Sequence, residues 1–549
     1  MKKNQWFVRL QLPLALIIGL SFALVVAMGG LRAPAQAGPP SPWQLVPIST
    51  DPDFNALDVP IDSSVRVTFT EAISLPTVDV TTFAVHGSQG PVYDGVYSLE
   101  NGDRTVVLDP DRNFYPGEVI RASATTGILG SGGDPVQVPY TWQFWVETEG
   151  DSARYGLVGA LFGANDKWTD AIAIGDMDGD GDLDVIAGNA YYQNVIYFNG
   201  GAGNFYVGQN PCEQSPIPEG VHCFSGSGDA TRSLVLGDIE NDGDLDVVVG
   251  NNGDQNLIHV NDGAGNMDAS RVVSPEPNFT IAVAMGDVNG DGYLDIAVAN
   301  RGNDDPNMIY FNDGDGTFNT TFYPLGSGAG DTHDSYAIAL GDLDGDGDLD
   351  AVVGNIGADP DMIYINDGVG NPYDIVSYPF NSSVDTTHAL ALGDMDGDGD
   401  LDIVAGKNGQ RNAIYYNDGG ASFDAPHFAF GASSDYTLGV ALGDLDGDGD
   451  LDVVVANDGG QNAVYLNDGH GVLARHPLFY GTGHDNSWSV ALGDLDDDGD
   501  LDAAVGNAGT AGLGQNFIYR NRQAVYLPLV VRDLTRFVVY MPLIKQVSP

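Results

Sequence analysis

A nine-residue stretch, Asp342-Leu343-Asp344-Gly345-Asp346-Gly347-Asp348-Leu349-Asp350, occurs seven times in this chain with small changes. The copies start at Asp176, Asp238, Asp287, Asp342, Asp394, Asp444 and Asp494. A period of roughly 50 residues implies a repeat architecture, in which each unit buries its apolar face only against its neighbours. Positions 1, 3, 5 and 9 are acidic in every copy but the third, which has Asn289 at position 3. Position 6 is always glycine (Gly181, Gly243, Gly292, Gly347, Gly399, Gly449, Gly499), as a sharp turn with positive φ requires. Position 8 is always leucine, returning the chain to a core.

Oxygen ligands at alternate positions around a tight turn suit a hard cation such as Ca²⁺, which takes its oxygens at about 2.3–2.6 Å. The candidate ligands are Asp176, Asp178, Asp180, Asp182 and Asp184; Asp238, Glu240, Asp242, Asp244 and Asp246; and Asp287, Asn289, Asp291, Tyr293 and Asp295. They continue with Asp342, Asp344, Asp346, Asp348 and Asp350; Asp394, Asp396, Asp398, Asp400 and Asp402; Asp444, Asp446, Asp448, Asp450 and Asp452; and Asp494, Asp496, Asp498, Asp500 and Asp502. Position 7 varies between Asp and Tyr293, so its backbone carbonyl is expected to face the ion. An EF-hand would need a bidentate Glu at position 12 and flanking helices. Here position 12 is Ala187, Val249 or Val353, inside short β-branched runs that stop at Gly-Asn and read as strands. A dockerin-type helical pair fails for the same reason. The plain alternative is an ion-free acidic turn, but carboxylates this crowded repel unless a cation sits among them.

These loops resemble those of FG-GAP/VCBS repeats, the calcium-bearing blades of integrin α-subunit propellers and of many secreted bacterial proteins. The Phe-Gly step stands at Phe162-Gly163-Ala164 and Phe430-Gly431-Ala432. An Asn-Asp-Gly-x-Gly-x-Phe turn runs from Asn312 to Phe318, with reduced versions from Asn261, Asn366, Asn417 and Asn467. The likeness covers residues 153–521 and implies a β-propeller with about seven Ca²⁺ sites, one per blade. It does not name a ligand. Each repeat reads as a small-residue strand (Ala337 to Leu340), the loop, a second strand (Ala351 to Val353), a third (Met362 to Ile365) and a fourth. The seventh repeat ends at Asn521 without a fourth strand, while Leu161-Phe162-Gly163-Ala164 precedes the first loop. Residues 153–163 are therefore expected to supply the missing outer strand, closing seven blades.

The remaining segments differ in texture. Residues 1–37 read as a signal peptide: Lys2, Lys3 and Arg9, an apolar run from Leu10 to Met28, then Ala35-Gln36-Ala37. If uncleaved, the run is long enough to anchor the chain in a membrane. Residues 44–148 alternate apolar and polar, as in Val65, Val67 and Phe69 against Arg66, Thr68 and Thr70, between frequent turns, which suggests a β-sandwich. The stretch from Val59 to Ile73 and the ending Trp142 to Val146 resemble bacterial Ig-like domains of the surface-layer type, with a spacer role expected. The fold class is thus all-β, a seven-bladed β-propeller preceded by an Ig-like β-sandwich. An insertion from Asn210 to Phe224 holds Cys212 and Cys223, and in an exported chain these are expected to form a disulfide. Residues 522–549 carry two similar pieces, Val525 to Val530 and Val539 to Ile544, readable as a hairpin or a surface-sorting tail and each too short to span a membrane.

Net charge is −56, and over two-fifths of the 77 acidic residues lie in the seven loops, so much of the acidity is site chemistry. Such a surface excludes nucleic acid as a partner. No Gly-x-Ser-x-Gly or His-Glu-x-x-His motif occurs, and with only 21 Lys and Arg no basic cluster stands out, so the chain is not expected to be an enzyme. His333, His388 and His484, with Trp168, Tyr336, Tyr436 and Trp488, precede innermost strands, on the face opposite the loops. Packing between blades is their expected role. Asn189, Asn251, Asn300, Asn355, Asn457 and Asn507 recur at strand ends and read as turn-makers. The expected function is a secreted or cell-surface binding or adhesion module for an extracellular protein or polysaccharide. A carbohydrate-active enzyme such as a polysaccharide lyase, or a structural envelope component, are the alternatives.

Overall fold

The structure, a computed structural model, describes residues 45–148, 160–164, 168–521 apart from short loop stretches, and strands Tyr526–Pro528 and Tyr540–Pro542. The undescribed loop stretches include 319–321, 327–332, 369–375, 382–385, 424–426, 482–485 and 510–513. The segment read as a signal peptide, most of the tail and His484 lie outside the described residues. Among the described residues, no helix is long and apolar enough to cross a membrane.

Every repeat begins with a strand that leads into its acidic loop: Thr169–Gly175, Thr231–Gly237, Asn278–Gly286, Ser335–Gly341, Thr387–Gly393, Thr437–Gly443 and Ser487–Gly493. The loop reverses the chain into a second, buried strand; Gly341 pairs with Asp350 and Ser335 with Asn355. Glycine and alanine in these strands let neighbouring repeats approach. A Cβ on Gly341 would lie 2.8 Å from a Leu401 methyl of the next repeat. The first strands pack on one another in chain order, and Ser487–Gly493 packs on Thr169–Gly175.

The repeats starting at Ser335, Thr387 and Thr437 are plain four-stranded antiparallel sheets. Strand Ala160–Ala164 pairs antiparallel with Asn516–Tyr519, Phe162 opposite Asn516, so the start of the region does supply the outer strand of the last repeat. Phe162 is fully buried there, edge-on to Tyr197 at 5.5 Å. In the first repeat the fourth strand is Val221–Phe224, inside the segment read as an insertion. The disulfide Cys212–Cys223 forms, with Cα atoms 5.8 Å apart, and ties the excursion to that strand. The second and third repeats run together, because strand Asp246–Asp254 also pairs with Asn278–Gly286. Of the tail, Tyr526–Pro528 and Tyr540–Pro542 pair antiparallel.

Residues 45–148 form two four-stranded sheets around a core that includes Phe69, Phe83, Trp142 and Phe144. Val65, Val67 and Phe69 point inward as their alternation requires. The expectation of a spacer is not met, because this sandwich lies on the loop-bearing face of the repeats and touches every loop. Tyr115 Oη donates to Asp176 Oδ2 at 2.8 Å, and Gln89 O accepts from Asp176 N. Val92 donates through its backbone to Asp238, and Ser123 to the carboxylate of Asp287. Thr141 N donates to Gly347 O at 2.8 Å, Asn55 Nδ2 to Gly399 O at 3.0 Å and Thr148 Oγ1 to Asp444 O at 3.0 Å. Beside the seventh loop, Gln89 Nε2 donates to Leu492 O. Trp145 joins a cluster with Leu343, Leu401 and Leu451. Arg121, half-buried, reaches between the first strands and donates to Met285 O at 3.1 Å and Leu340 O at 3.4 Å.

Candidate functional site

The fourth loop shows how nine residues become a cage. Asp342 Oδ1 accepts from the backbone N–H of Gly345 and Asp346, and its Oδ2 from Gly347 at 2.7 Å. Those bonds wrap the chain around its first carboxylate. The turn closes at Gly347, whose φ of +95° explains the invariant glycine. Asp350 is held from both sides, Oδ2 by Leu343 N and Oδ1 by Asn366 N, each at 2.8 Å. Asp346 Oδ1 accepts from Asp348 N at 3.1 Å. What remains is the third position: Asp344 Oδ1 is buried without a partner. The equivalent oxygens of Asp178, Asp396 and Asp446 are in the same state. A buried carboxylate oxygen left without a donor is costly, and a hard cation resolves it.

The structure brings together Asp176, Asp178 and Asp184; Asp342, Asp344 and Asp350; Asp394, Asp396 and Asp402; Asp444, Asp446 and Asp452; and Asp494, Asp496 and Asp498. Within each group one oxygen per residue lies within 4.8 Å of the others. Among the described residues the carboxylates of the second and third loops make no such group. Asp180, Asp242, Asp291, Asp346, Asp398, Asp448 and Asp498 cap the turn through the N–H two residues on, in all seven loops. Several position-7 side chains lean away, towards the following Asn-Asp-Gly turn. A Cβ on Gly201, Gly263, Gly368 or Gly469 would meet Asp182, Asp244, Asp348 or Asp450 within 3.0 Å. Tyr293 does the same beneath Gly314, and Asp400 beneath Gly419.

Burial pushes the carboxyls of Asp184, Asp402 and Asp452 up to about 8, with neighbouring carboxylates adding to it and backbone N–H groups opposing it. A dication would supply the counter-charge these groups lack. Oxygen-only donors, a preformed turn and unpartnered inward oxygens fit Ca²⁺. When bound, the ion would neutralise the first, third and ninth carboxylates and lock the turn between the first two strands of its repeat.

Two hydrogen-bond relays that the sequence did not reveal join the repeats. On the loop side, the Asn of each Asn-Asp-Gly turn donates to the position-2 carbonyl of the preceding repeat. Asn261 reaches Met177 O, Asn312 reaches Ile239 O, and Asn199 reaches Leu495 O at 2.9 Å, from the first repeat to the last. On the far side, Thr169 Oγ1 donates to Asn189 Oδ1, whose N–H donates to Asn194 Oδ1, whose amide donates to Thr231 of the next repeat. The pattern returns to its start when Asn516 Nδ2 donates to Thr169 Oγ1 at 3.0 Å. Asn189, Asn251, Asn300, Asn355, Asn457 and Asn507 therefore do more than make turns: they couple neighbours. Their regular recurrence was the available signal. Glu118 was missed altogether. Fully buried, it accepts from Gln89 N, Gly90 N, Tyr115 N and Tyr93 Oη, and so shapes the two turns that meet the first loop.

The far face is accessible. Trp168, Tyr191 and Tyr436 are exposed there, at 39%, 56% and 50%. Second residues of the first strands interlock across repeats, as the expectation of packing requires. Arg232 pairs with Asp170 at 2.6 Å and lies over Trp488, Tyr336 packs tilted against His388 with ring centroids 4.6 Å apart, and Arg301 lies over Tyr336. Burial, assisted by Arg301, holds His388 down to about 4, so it is neutral at physiological pH. His333 brings no carboxylate partner within hydrogen-bond reach among the described residues.

Comparison with known proteins agrees with this geometry. A model of the FG-GAP-like repeat matches residues 176–249, 238–298, 287–353, 342–405, 394–455 and 444–505, and a model of the bacterial Ig-like domain matches residues 44–146. No curated protein sequence matches the chain. Solved structures similar to it include BBS1N in complex with ARL6DN, at 13% identity and a TM-score of 0.44, covering 69% of this chain and 99% of that one. Another is the Cps50 (Swd1) β-propeller domain of Myceliophteria thermophila, at 13% identity and a TM-score of 0.42, covering 66% of this chain and 99% of that one.

Proposed function

The chain belongs to the FG-GAP-like repeat family and carries a bacterial Ig-like domain, and on that footing we propose that it is an exported, Ca²⁺-stabilised seven-bladed β-propeller that binds a protein or a polysaccharide. The observation that carries the reading is the covered loop face. The sandwich occupies the side on which the ions would sit, so calcium there serves stability and the ligand meets the far face. That face offers exposed Trp168, Tyr191 and Tyr436, aromatic planes suited to sugar rings or peptide side chains. Among the described residues, His388 packs against Tyr336 and Arg232 pairs with Asp170, contacts between repeats that favour binding over catalysis. The relays that return from the last repeat to the first support a closed ring. Ring closure and the cation sites give a rigid scaffold suited to display outside the cell, where millimolar Ca²⁺ is available.

The test is retention of the protein on immobilised polysaccharides and matrix proteins, with released sugar recorded in parallel, for the parent and for Trp168→Ala with Tyr436→Ala. Retention without product, weakened at least tenfold by the double substitution, is expected. Released oligosaccharide would overturn the binding reading in favour of an enzyme. Undiminished retention in the double variant would move the ligand to another face.

A further inference from the structure

We infer that the seven loops are chemically unequal, and that the second carries its own cation, the Arg271 guanidinium, in place of a metal ion. The inference rests on reading the loops as Ca²⁺ sites. In the first, fourth, fifth and sixth loops the third-position oxygen is the one left buried without a partner, and it converges with the first and ninth carboxylates. In the second loop that position is Glu240, one methylene longer than Asp. Both of its oxygens are taken: Arg271 Nη1 lies 3.0 Å from Oε2, and Nη2 lies 3.0 Å from Oε1. A planar fork matched to both oxygens satisfies a carboxylate in direction as well as charge, and an ion would have to displace it.

The guanidinium is built in at both ends. Its backbone lies in strand Ala269–Val272, with Arg271 opposite Ile258, so the side chain starts from a fixed place. Its head passes against Gly316 of the next repeat, where a Cβ would lie 1.9 Å from Nη1. Gly316 also has φ of +69°, so both the backbone and the clearance call for glycine. The same loop contributes no convergent group of carboxylates among the described residues.

The seventh loop provides the contrast. Arg520 stands where other repeats have Phe198 or Tyr416, just before the Asn of the turn, and its Nη1 lies 3.0 Å from Asp496 Oδ2. It also donates to Gly203 O at 2.6 Å. That arginine takes one oxygen from the side, while Asp494, Asp496 and Asp498 still converge. This loop therefore keeps its ion. In the third loop Asn289 retains an amide oxygen at the same position, so a weaker site remains there.

Native mass spectrometry of the protein in Ca²⁺, counting bound ions, tests this. The parent is expected to hold no more than six. Glu240→Gln is expected to leave the count unchanged, whereas Asp344→Ala, which leaves no oxygen at the third position, lowers it by one. Arg271→Gln, which frees Glu240, raises it by one, and Arg271→Lys guards against misfolding by keeping the charge and the parent count. Seven ions in the parent, or loss of an ion in Glu240→Gln, would overturn the inference while leaving the calcium reading intact. No bound ions in the parent would overturn the calcium reading itself.

Discussion

Asp361 and Lys407 show how a single position is used when the repeat pattern is broken. Other repeats place asparagine at both positions of the far-side relay, and here a carboxylate and an ammonium replace them around Thr387. Both are buried, at 1% and 4% exposure. Asp361 Oδ2 accepts from Thr387 Oγ1 at 2.7 Å, and Lys407 Nζ donates to Tyr415 Oη at 2.7 Å. Burial raises the Asp361 carboxyl, and the Lys407 charge opposes the rise. Removing one member of a buried pair costs about 3–5 kcal/mol, while replacing both can be neutral. Lys407→Asn alone should therefore lower stability by about 3 kcal/mol, and Asp361→Asn with Lys407→Asn should recover most of it. Denaturant melts in Ca²⁺ check this, and simple additivity of the two single changes would refute the coupling. A pH dependence follows from His259 and His388, which burial holds down to about 4 from the ordinary 6.5, Asp229 opposing the shift at the first and Arg301 reinforcing it at the second. The unfolded chain takes up protons first, so this stability is present above pH 6.5 and is lost as pH falls towards 4, at about 1.4 kcal/mol per unit of difference. The loop carboxyls, raised to about 8, act in the opposite sense, so the measurement that isolates the histidine is the difference between parent and His259→Gln in thermal melts across that window, where the parent should lose more stability as pH falls.

At the scale of elements, the last repeat depends on a strand borrowed across more than 350 residues of chain. Phe162 pairs with Asn516 and packs with Val185, Val195 and Ile518. Phe162→Ala should cost about 3–5 kcal/mol by cavity formation and expose the edge of the last repeat to proteolysis. The same substitution at Phe428, half-buried on an unbroken sheet, should cost less. This strand was legible because Phe162-Gly163 aligns with Phe430-Gly431 and the seventh repeat visibly lacks a fourth strand. The outer strand Val221–Phe224 was not legible, because its repeat interposes an irregular segment that local pattern cannot distinguish from an insertion. Its disulfide closes a loop of separation 11, for which chain entropy gives about 3 kcal/mol. Cys212→Ser with Cys223→Ser should lower the melting temperature of the first repeat's contribution accordingly, as read by calorimetry in parent and variant.

At the scale of the whole molecule, the acidic loops and the sandwich meet on the same face. If free Ca²⁺ is tenfold above Kd, each occupied site adds roughly 1.4 kcal/mol. Excess EDTA should therefore lower the melting temperature markedly, and an unchanged value would reject calcium as a stabiliser. The sandwich should loosen together with the repeats, because Tyr115 and Ser123 bond to first-position carboxylates of two loops. Arg121 anchors it at the centre through the carbonyls of Met285 and Leu340, so Arg121→Ala should cost about 1–3 kcal/mol and raise hydrogen exchange along Val119–Ala124.

The sequence alone determined the repeat period, the acidic loops, their glycine turns and the four-strand units, because each depends on residues within about one repeat of one another. It also marked the sandwich through period-2 alternation, a property of single strands. Tertiary structure decided what lies between distant segments. Asn55 meets Gly399 across 344 residues, Asn516 returns to Thr169, and Arg271 meets Glu240 from a different strand. The domain read as a spacer proves to be a lid on the loop face for the same reason: a strand's pattern states which side is buried, but not what buries it.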